Sequence, residues 1–473
     1  MIKQLLRDSL LYLVPNLLAR GIGLILLPIY TRYLSPADYG VVELLAILYA
    51  LLNLVLPLEI SQAVARFSPD ASVRAAKSVL VSTAFWFTFI GFAAWFALTV
   101  AFPVELARII LGVDGDPFLL PTAAAAMLVN ALLYLAMNQL RWNLQQNSYV
   151  AVSLLFAIVT AIVSVTLIVG FRFGVYGMIL GQFAGSIVAL AVATLCLWPT
   201  SPILLQFSKP ELQSLLGFSA PLVISSAAVY VTLYTDRWLV SVWVGLDGVG
   251  MYSVALRVAS ILTLVTGSVQ LALTPLIYSQ HRDPTTPSAI RSFFQYYLFG
   301  AFSLILVIGV FSEDIIELLA GPQFFRAREV LVPVMLATLF MSFNVFSPGL
   351  ALAKRTGRTA ATNILGAAVN ITVTLWLIPR LGLMGAAIGS VIGSSLIMMI
   401  RFAWSQKYYS IPYRWNRYAV SFIVLGLVLG FGTVYSLPIY GRAALALGGI
   451  TVFALLLVRR ADHAAAISRG QGA

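Results

Sequence analysis

Charged residues are scarce in this chain. Only 10% of its 473 residues are Asp, Glu, Lys or Arg, whereas about 25% of a soluble domain is charged. So few charges cannot cover a globular surface, which excludes a soluble globular protein. The net charge of +12 is explained by basic residues in the connections of a membrane protein, so it does not indicate a nucleic-acid partner.

Reactive side chains are also few. The single cysteine, Cys196, excludes a disulfide bond within the chain. The two histidines, His281 and His463, lie in predicted connections. No pattern is present that is typical of a nucleophile triad, a metal centre or a phosphate-binding glycine loop. The sequence therefore predicts a protein that is not an enzyme and that holds neither a metal nor a cofactor.

Long apolar runs are what the chain has in abundance. Its residues are 60% hydrophobic and its mean hydropathy is +0.95. Runs of roughly 18–25 residues recur, each long enough to cross about 30 Å of hydrocarbon. They are continuous, unlike the short alternating segments of a membrane barrel. The sequence predicts an all-α polytopic membrane protein with about 14 transmembrane helices, at 10–31, 40–64, 79–101, 118–138, 150–171, 175–197, 215–235, 249–277, 292–311, 330–352, 360–379, 382–400, 418–437 and 441–458.

The distribution of charge predicts the topology. Alternate connections carry 19 Lys and Arg residues on one side and 8 on the other, where the eight include Arg442 at the second position of the last span, and Arg20 and Arg257 are left inside spans. The positive-inside rule makes the 19-charge side cytoplasmic. Because the number of spans is even, both termini are predicted to be cytoplasmic, in a bacterial-type inner membrane. The first span is predicted to be a retained signal anchor, since it lacks a small-residue cleavage site.

A glycine-rich stretch occurs twice. "FGVYGMILGQFAGS" at Phe173–Ser186 returns as "LGLMGAAIGSVIGS" at Leu381–Ser394, at an offset of 208 residues. Its glycines are spaced by three and four, so they share one helix face and allow close packing of helices. At the start of the second and eighth spans, Gly40 and Gly250 correspond at an offset of 210. Spans 1–6 and 7–12 are therefore predicted to be two copies of one unit.

Because six is an even number, both copies enter the membrane from the same side, and their symmetry axis runs along the membrane normal. This predicts two six-helix lobes in a parallel pseudo-twofold repeat plus two C-terminal helices. The predicted divisions are 1–200 for the N-terminal lobe, 201–405 for the C-terminal lobe, and 406–473 for spans 13–14 with a short cytoplasmic tail.

Three segments carry a family resemblance. "LLPIYTRYLSPADYGVVELLAIL", "SQAVARF" and "YTDRWLVSVWVGLDGVGMYSVALRV" resemble the signatures of the O-antigen and polysaccharide flippases. These belong to the multidrug/oligosaccharidyl-lipid/polysaccharide exporter superfamily. The resemblance implies translocation of an undecaprenyl-diphosphate-linked oligosaccharide across the cytoplasmic membrane for surface polysaccharide biosynthesis. It implies a lipid-linked oligosaccharide and the bilayer as partners, together with other membrane proteins of polysaccharide assembly.

Two arginines inside spans are the predicted substrate contacts. A diphosphate cannot cross hydrocarbon unassisted, and cations in a cavity would hold it through charge-assisted hydrogen bonds. Arg20 lies deep in the first predicted span, where insertion costs about 2.5–3.5 kcal/mol. Arg257 lies in the eighth span. The alternatives for Arg20 are a structural pair with Glu59 or a shifted helix that places it at an interface, and the alternative for Arg257 is snorkelling to the outer surface.

Acidic residues within or at the ends of spans are predicted to form ion pairs or to couple transport. Glu59, which follows Pro57, would pair with Arg20 or Arg66, or would bind a coupling proton or sodium ion. Asp236 and Arg237 are predicted to close the seventh span at its outer end, as an interfacial ion pair or a gate between the lobes. Glu43 is predicted at the outer interface.

Three basic residues lie at predicted cytoplasmic helix ends: Arg66, Arg141 and Lys354. They are either ordinary topology determinants or recruit an anionic head group. Two other functions remain open from the sequence. One is a multidrug or cation antiporter of the same superfamily. The other is a polytopic polysaccharide polymerase or ligase, which would need a larger outer loop than any predicted here.

Overall fold

The computed structural model describes residues 21–68, 74–112, 116–435 and 437–458. Within these ranges the secondary structure is helical and contains no strand. Thirteen of the described helical segments are long and apolar enough to cross a membrane. Helices suit that environment because each satisfies its backbone hydrogen bonds internally. The all-α, multi-pass membrane architecture predicted from the sequence is therefore confirmed.

Helices are numbered in chain order, and two of them, α7 and α18, continue into single π-helical turns at Thr166–Gly170 and Ala454–Val458. The bounds are α1 at 21–33, α2 Pro36–Val55, α3 Ile60–Phe67, α4 Arg74–Ala101, α5 Pro103–Leu111, α6 Leu119–Trp142, α7 Gln146–Val165, α8 Gly174–Leu197, α9 Lys209–Trp243, α10 Leu246–Gln280, α11 Thr286–Val310, α12 Ser312–Ala320, α13 Ala327–Ser342, α14 Gly349–Leu352, α15 Thr356–Leu381, α16 Leu383–Tyr408, α17 Trp415–Val434 and α18 Ile439–Phe453.

The predicted spans from the second to the fourteenth each coincide with one of the thirteen apolar helical segments. The first, 10–31, lies mostly outside the described residues. Two predicted extents are wrong. The second span does not run unbroken over 40–64, because α2 ends at Val55 and α3 begins at Ile60. The seventh continues to Trp243 as α9, so Asp236 and Arg237 lie within that helix and do not close it.

The chain divides into two compact units, Met1–Ser253 and Val254–Ala473. The division falls inside α10. The predicted lobes, by contrast, divide at 200 and 405 because they rest on the sequence repeat. Those lobes stay a prediction.

The repeated glycines pack each glycine-bearing helix against the helix that precedes it. A Cβ added at Gly181 in α8 would lie 1.9 Å from Oγ of Ser164 in α7. A Cβ added at Gly389 in α16 would lie 1.9 Å from Oγ1 of Thr374 in α15. No side chain fits at such distances, so the glycines serve close helix packing. The predicted scaffold role of these residues agrees with this packing.

The repeat has two registers. The glycines of α8 and α16 are 208 residues apart, but their partners in α7 and α15, such as Ser164 and Thr374, are 210 apart. The turn before each partner helix also repeats at 210, since Leu144 and Lys354 both have left-handed φ values, 58° and 54°. At this turn the offset is therefore 210 and not the 208 of the glycine stretches. The change of register lies in the connection between the paired helices.

The last two helices, α17 and α18, pack on α11. A Cβ at Gly449 of α18 would come within 2.4 Å of the Leu306 side chain. The Phe294 ring of α11 lies 5.2 Å from the Tyr418 ring of α17, in an edge-to-face contact. Spans 13 and 14, which stand outside the sequence repeat, thus belong to the core of the second unit.

Candidate functional site

The second span is interrupted between α2 and α3. Pro57 has no N–H to donate to the carbonyl of Asn53, one turn earlier. Leu58 and Glu59 then adopt φ values of 50° and 56°, a left-handed conformation that costs a residue with a side chain about 1–3 kcal/mol. The helix restarts at Ile60. The sequence analysis did not predict this left-handed pair.

Packing holds the break in place. Ile60, Ala63 and Val64 of α3 are almost fully buried. They belong to one hydrophobic cluster with residues of α4, α6 and α9, namely Leu80, Val81, Ala84, Phe85, Leu132, Leu135 and Leu215. Because α3 is fixed by this core, the backbone strain just before it can persist.

A cavity of about 580 Å³ opens beside the break, within the first unit. Its volume lies in the range of roughly 300–1,000 Å³ found for small-molecule sites. Four tyrosines line it, namely Tyr49, Tyr134, Tyr230 and Tyr234. The other polar side chains on its wall are Asn53, Glu59, Ser61, Thr88 and Ser226.

Glu59 is the only charged side chain among the described residues that line the cavity. The glutamate is half-buried, and none of the ion pairs among described residues involves it. Its predicted pairing with Arg66 is not formed, and the other predicted partner, Arg20, lies outside the described residues. The hydroxyl oxygens of Tyr49 and Ser61 are buried and have no hydrogen-bond partner among described residues. The cavity wall therefore offers oxygen atoms and one negative charge.

A second polar cluster joins α2, α9 and α10. The Arg237 guanidinium lies 3.6 Å from the Glu43 carboxylate and 3.9 Å from the Asp236 carboxylate. The Tyr252 hydroxyl donates a hydrogen bond of 3.0 Å to Asp236. All three charged side chains are at most 16% exposed. Glu43, which was predicted at the outer interface, has its carboxylate buried against Arg237, and its depth in the membrane stays a prediction.

The same helices touch backbone to backbone where α2 and α10 begin. A Cβ at Gly40 would lie 2.1 Å from the carbonyl oxygen of Leu246, and one at Gly250 would lie 2.0 Å from that of Pro36. Gly250 corresponds to Gly40 and Leu246 to Pro36, each at an offset of 210 residues, so the contact is reciprocal, as across a twofold axis. Gly40 and Gly250 were matched from sequence alone. Their contact ties the first copy of the repeat to the second.

The "SPADYG" signature has a local explanation at this contact. Ser35 caps α2, and its hydroxyl accepts from the N–H of Asp38 at 3.1 Å. Asp38 in turn accepts from the Ser35 N–H at 3.0 Å. This capping box is worth about 1 kcal/mol. Pro36 occupies the first turn, where its missing N–H costs nothing, and Gly40 makes the close approach.

The remaining predicted residues are spread over the molecule. Arg257 is exposed on α10, in the second unit, and Arg66 is exposed near the end of α3. Arg141 is half-buried near the end of α6, with its guanidinium 4.5 Å from the Trp142 ring. Lys354 is exposed in the left-handed turn before α15. None of these four residues is among those lining the cavity.

Sequence reasoning missed a buried cation in the second unit. Arg401 is 7% exposed and donates to Asn363 Oδ1 at 2.7 Å and to Thr362 Oγ1 at 3.4 Å. It was assigned to a cytoplasmic connection, because the predicted span ended at residue 400. The polar and aromatic wall of the cavity was missed as well. Its only signal was a set of Tyr and Asn residues inside apolar helices.

The thirteen apolar helical segments among the described residues, with a cavity whose wall mixes apolar and polar side chains, are features of a helical membrane transporter. The chain belongs to the polysaccharide biosynthesis protein family, whose model matches residues 5–281. It is similar to a probable low-salt glycan biosynthesis flippase, Agl15, of Haloferax volcanii. The two are 24% identical over 269 residues, which cover 54% of this chain and 56% of that protein. The chain spans about half the length of the curated relatives it matches.

Solved structures show the same fold. The lipid II flippase MurJ, in an inward closed conformation, aligns with a TM-score of 0.73 at 14% identity, covering 94% of this chain and 97% of that one. An inward-facing multidrug resistance MATE family transporter of the MOP superfamily aligns with a TM-score of 0.65 at 17% identity. That alignment covers 85% of this chain and 94% of the transporter. The predicted superfamily is confirmed by the family match and the fold together.

Proposed function

We propose that the protein translocates an undecaprenyl-diphosphate-linked oligosaccharide from the cytoplasmic to the outer leaflet for surface polysaccharide synthesis. The observation that carries the proposal is the cavity inside the spans, with its tyrosines and its amide and hydroxyl groups. Sugar hydroxyls need hydrogen-bond partners when they leave water, because an unpaired polar group in an apolar medium costs several kcal/mol. The family match and the flippase named among its relatives support the same function.

The described lining of this cavity offers the diphosphate no positive charge. Among its described lining residues the only charge is the negative Glu59, which repels an anion. We assign the diphosphate to Arg20 and Arg257, as the sequence predicted, since a guanidinium binds phosphate oxygens through paired hydrogen bonds. Arg66, Arg141 and Lys354 would attract the anionic head group at the cytoplasmic mouth.

The contact of α2 with α9 and α10 would be the outer gate. It joins spans of the two copies through the Arg237–Glu43 ion pair and the Gly40–Gly250 approach. Alternating access requires such a contact to open and close as the copies rock. The bias of 19 against 8 basic residues supports a topology with both termini cytoplasmic, in a bacterial-type inner membrane, which makes this end the outer one.

Labelling of a cavity residue tests the gate. Ser226→Cys, in a chain carrying Cys196→Ser, should react slowly with a membrane-impermeant maleimide added from outside. Adding Arg237→Ala should speed labelling several-fold, because the ion pair that closes this end is lost. Arg328→Ala, which breaks an exposed pair with Glu313, is the matched control and should change nothing. Equal labelling in all three proteins would contradict a gate at this contact.

A multidrug or cation antiporter is the second candidate. The observation that favours it is the Glu59 carboxylate, which has no ion-pair partner among the described residues and lines the cavity with four tyrosines, because aromatic faces and a negative charge both attract organic cations. A polymerase or ligase is disfavoured by the transporter fold of the chain. We infer that the chain is a transporter and not an enzyme.

Reconstitution separates the two transport functions. The full chain would be placed in vesicles that carry undecaprenyl-diphosphate-linked oligosaccharide in the inner leaflet. Its appearance outside would be followed with a membrane-impermeant glycosidase. Movement that depends on the protein supports the flippase, and Arg20→Ala should slow it. Extrusion of a cationic dye with no movement of the saccharide would overturn the flippase in favour of the antiporter.

A further inference from the structure

We propose that an anionic glycerophospholipid of the bilayer binds at one end of the α15–α16 helix pair, with its phosphate held by Arg401 and Arg358. Under the topology proposed above, this end faces the cytoplasmic leaflet. Both arginines belong to the second unit and neither lines the cavity, so the site does not depend on which substrate the protein moves. The supporting observations are a buried cation without a counter-charge, a second arginine beside it and a long stretch of chain without acids.

Arg401 lacks a negative partner. Its side chain is 7% exposed, and its guanidinium donates to Asn363 Oδ1 at 2.7 Å and to Thr362 Oγ1 at 3.4 Å. Both acceptors are neutral, and none of the ion pairs among the described residues includes Arg401. A buried charge is costly unless it is paired. The two contacts use two of the five N–H donors of a guanidinium, and phosphate oxygens suit those that remain.

The surrounding chain cannot supply the missing negative charge. No Asp or Glu occurs between Glu329 and Asp462, a stretch that contains α15, α16 and the helix α13 that packs on α16. On the side predicted to be cytoplasmic, the same stretch carries seven basic residues, Lys354, Arg355, Arg358, Arg401, Lys407, Arg414 and Arg417. Such a concentration of one sign of charge attracts an anion from outside the chain.

A second arginine extends the site toward the membrane surface. Arg358 lies one turn before Thr362 on α15, about 6 Å nearer the start of that helix. Its guanidinium lies 5.6 Å from the Trp404 ring and 5.5 Å from the Tyr408 ring of α16, and it donates to the Tyr408 hydroxyl. Trp404 and Tyr408 follow Arg401 at spacings of three and four residues, so the three share one face of α16. The two guanidinium groups therefore follow one another along the contact between α15 and α16.

The surroundings of the two arginines favour a lipid over a free anion. Trp and Tyr side chains concentrate at the level of the lipid head groups, and basic pockets between spans bind anionic head groups on the cytoplasmic side. Three large apolar side chains nearby, Ile364, Leu365 and Met399, are exposed and would contact acyl chains. A phospholipid presents a phosphate and acyl chains together, whereas a free phosphate ion would make no use of the apolar surface.

Native mass spectrometry of the purified full chain in detergent micelles is the test, because it counts the lipids bound to each protein. The wild-type protein should bind dioleoyl phosphatidylglycerol at least about tenfold more tightly than dioleoyl phosphatidylcholine, whose ammonium group neutralises its phosphate. Arg401→Gln should remove most of that preference. Arg401→Lys should keep part of it, since lysine retains the charge but not the planar fork. Arg380→Gln removes an exposed charge from the other end of α15 and should bind like wild type.

Thermal unfolding gives an independent readout. Phosphatidylglycerol should raise the unfolding temperature of the wild-type protein by about 1–2 °C at roughly ten times its Kd. Inorganic phosphate at the same concentration should not. If Arg401→Gln does not fold, Arg358→Gln carries the comparison, because its side chain is exposed. It should weaken phosphatidylglycerol binding about 3- to 10-fold.

Three results would overturn the inference. One is equal binding of the two lipids by wild type, or an unchanged preference in Arg401→Gln. Another is displacement of bound phosphatidylglycerol by inorganic phosphate, which would make this a site for a free anion. The third is displacement by undecaprenyl diphosphate at an equal or lower concentration, which would make it a substrate site. No transport is measured, so failure of the proposed transport function would leave these results unchanged.

Discussion

The second and eighth spans begin alike and then diverge. Both start with a glycine that touches the backbone of the other span, Gly40 against Leu246 and Gly250 against Pro36. α10 then runs unbroken over Leu246–Gln280. α2, in contrast, ends at Val55, and the chain turns through two left-handed residues before it continues.

The difference separates the part of the span that both copies share from the part that only the first copy has. At the offset of 210 that relates Gly40 to Gly250, Pro57 corresponds to Gly267 and Glu59 to Val269. Glycine and valine keep the backbone N–H that a continuous helix requires, whereas proline removes it. The break is therefore a property of one copy and not of the repeated unit. The copy that breaks also supplies the acidic side chain of the cavity wall, Glu59, at the point of divergence.

The largest effect is expected at the contact that the second and eighth spans share, where Gly40 and Gly250 each touch the backbone of the other span. Gly40→Ala would place a methyl group 2.1 Å from a backbone carbonyl, which cannot rotate away as a side chain can. We expect a loss of about 3 kcal/mol or more in the free energy of unfolding, seen as a lower unfolding temperature, and a similar loss for Gly250→Ala. Gly217→Ala in α9, where no atom lies within 4 Å, should be neutral or slightly stabilising. A stable Gly40→Ala protein would mean that the spans separate freely at this end.

Smaller effects, similar in the two copies, are expected where the repeated glycines pack α8 on α7 and α16 on α15. In Gly181→Ala and Gly389→Ala the new methyl would meet a side-chain hydroxyl at 1.9 Å, on Ser164 or Thr374. Each change should cost about 1–3 kcal/mol, and the two losses should be similar. Thermal unfolding of the single variants measures this. A large cost in one copy and none in the other would show that the helix pairs are not equivalent.

The smallest effect is expected at the repeated turn before α7 and α15. Leu144 and Lys354 have left-handed backbones, which glycine adopts without strain. Leu144→Gly and Lys354→Gly should each stabilise the protein by up to about 1 kcal/mol, after the added flexibility of the unfolded chain is subtracted. The rise in unfolding temperature should be alike in both variants. Destabilisation of either one would show that its side chain makes contacts that outweigh the backbone strain.

Hydropathy was sufficient to place the described spans, because each is a long apolar run between polar connections. It could not locate the break, since the residues around Pro57 remain apolar and φ values are not visible in composition. It also could not show that Glu43 is buried, because its partner Arg237 is almost 200 residues away in the sequence. Pairings of that kind depend on how the helices pack.

The cavity was hidden for a related reason. Tyrosine is counted among the hydrophobic residues of the composition, and isolated tyrosines hardly lower the mean hydropathy of a long apolar run, so Tyr49 and Tyr230 are not distinguished from ordinary span residues. Only the fold shows that they face one space together with Asn53 and Glu59. The glycine repeat, by contrast, could be found from the sequence, because it consists of the same residue type at the same spacing in both stretches. Its structural register of 210 in α7 and α15 emerged only from the helix contacts.

The central claim is that the interrupted second span is a functional site and not a tolerated irregularity. The most direct test gives this span the residues of its counterpart, with Pro57→Gly, Leu58→Ser and Glu59→Val in one chain, and measures saccharide translocation in reconstituted vesicles. Glu105→Val, at an exposed position, is the matched control. We predict a protein that unfolds within a few degrees of wild type but translocates at least about tenfold more slowly, a loss of about 1.4 kcal/mol. A folded variant that translocates at the wild-type rate would contradict the claim.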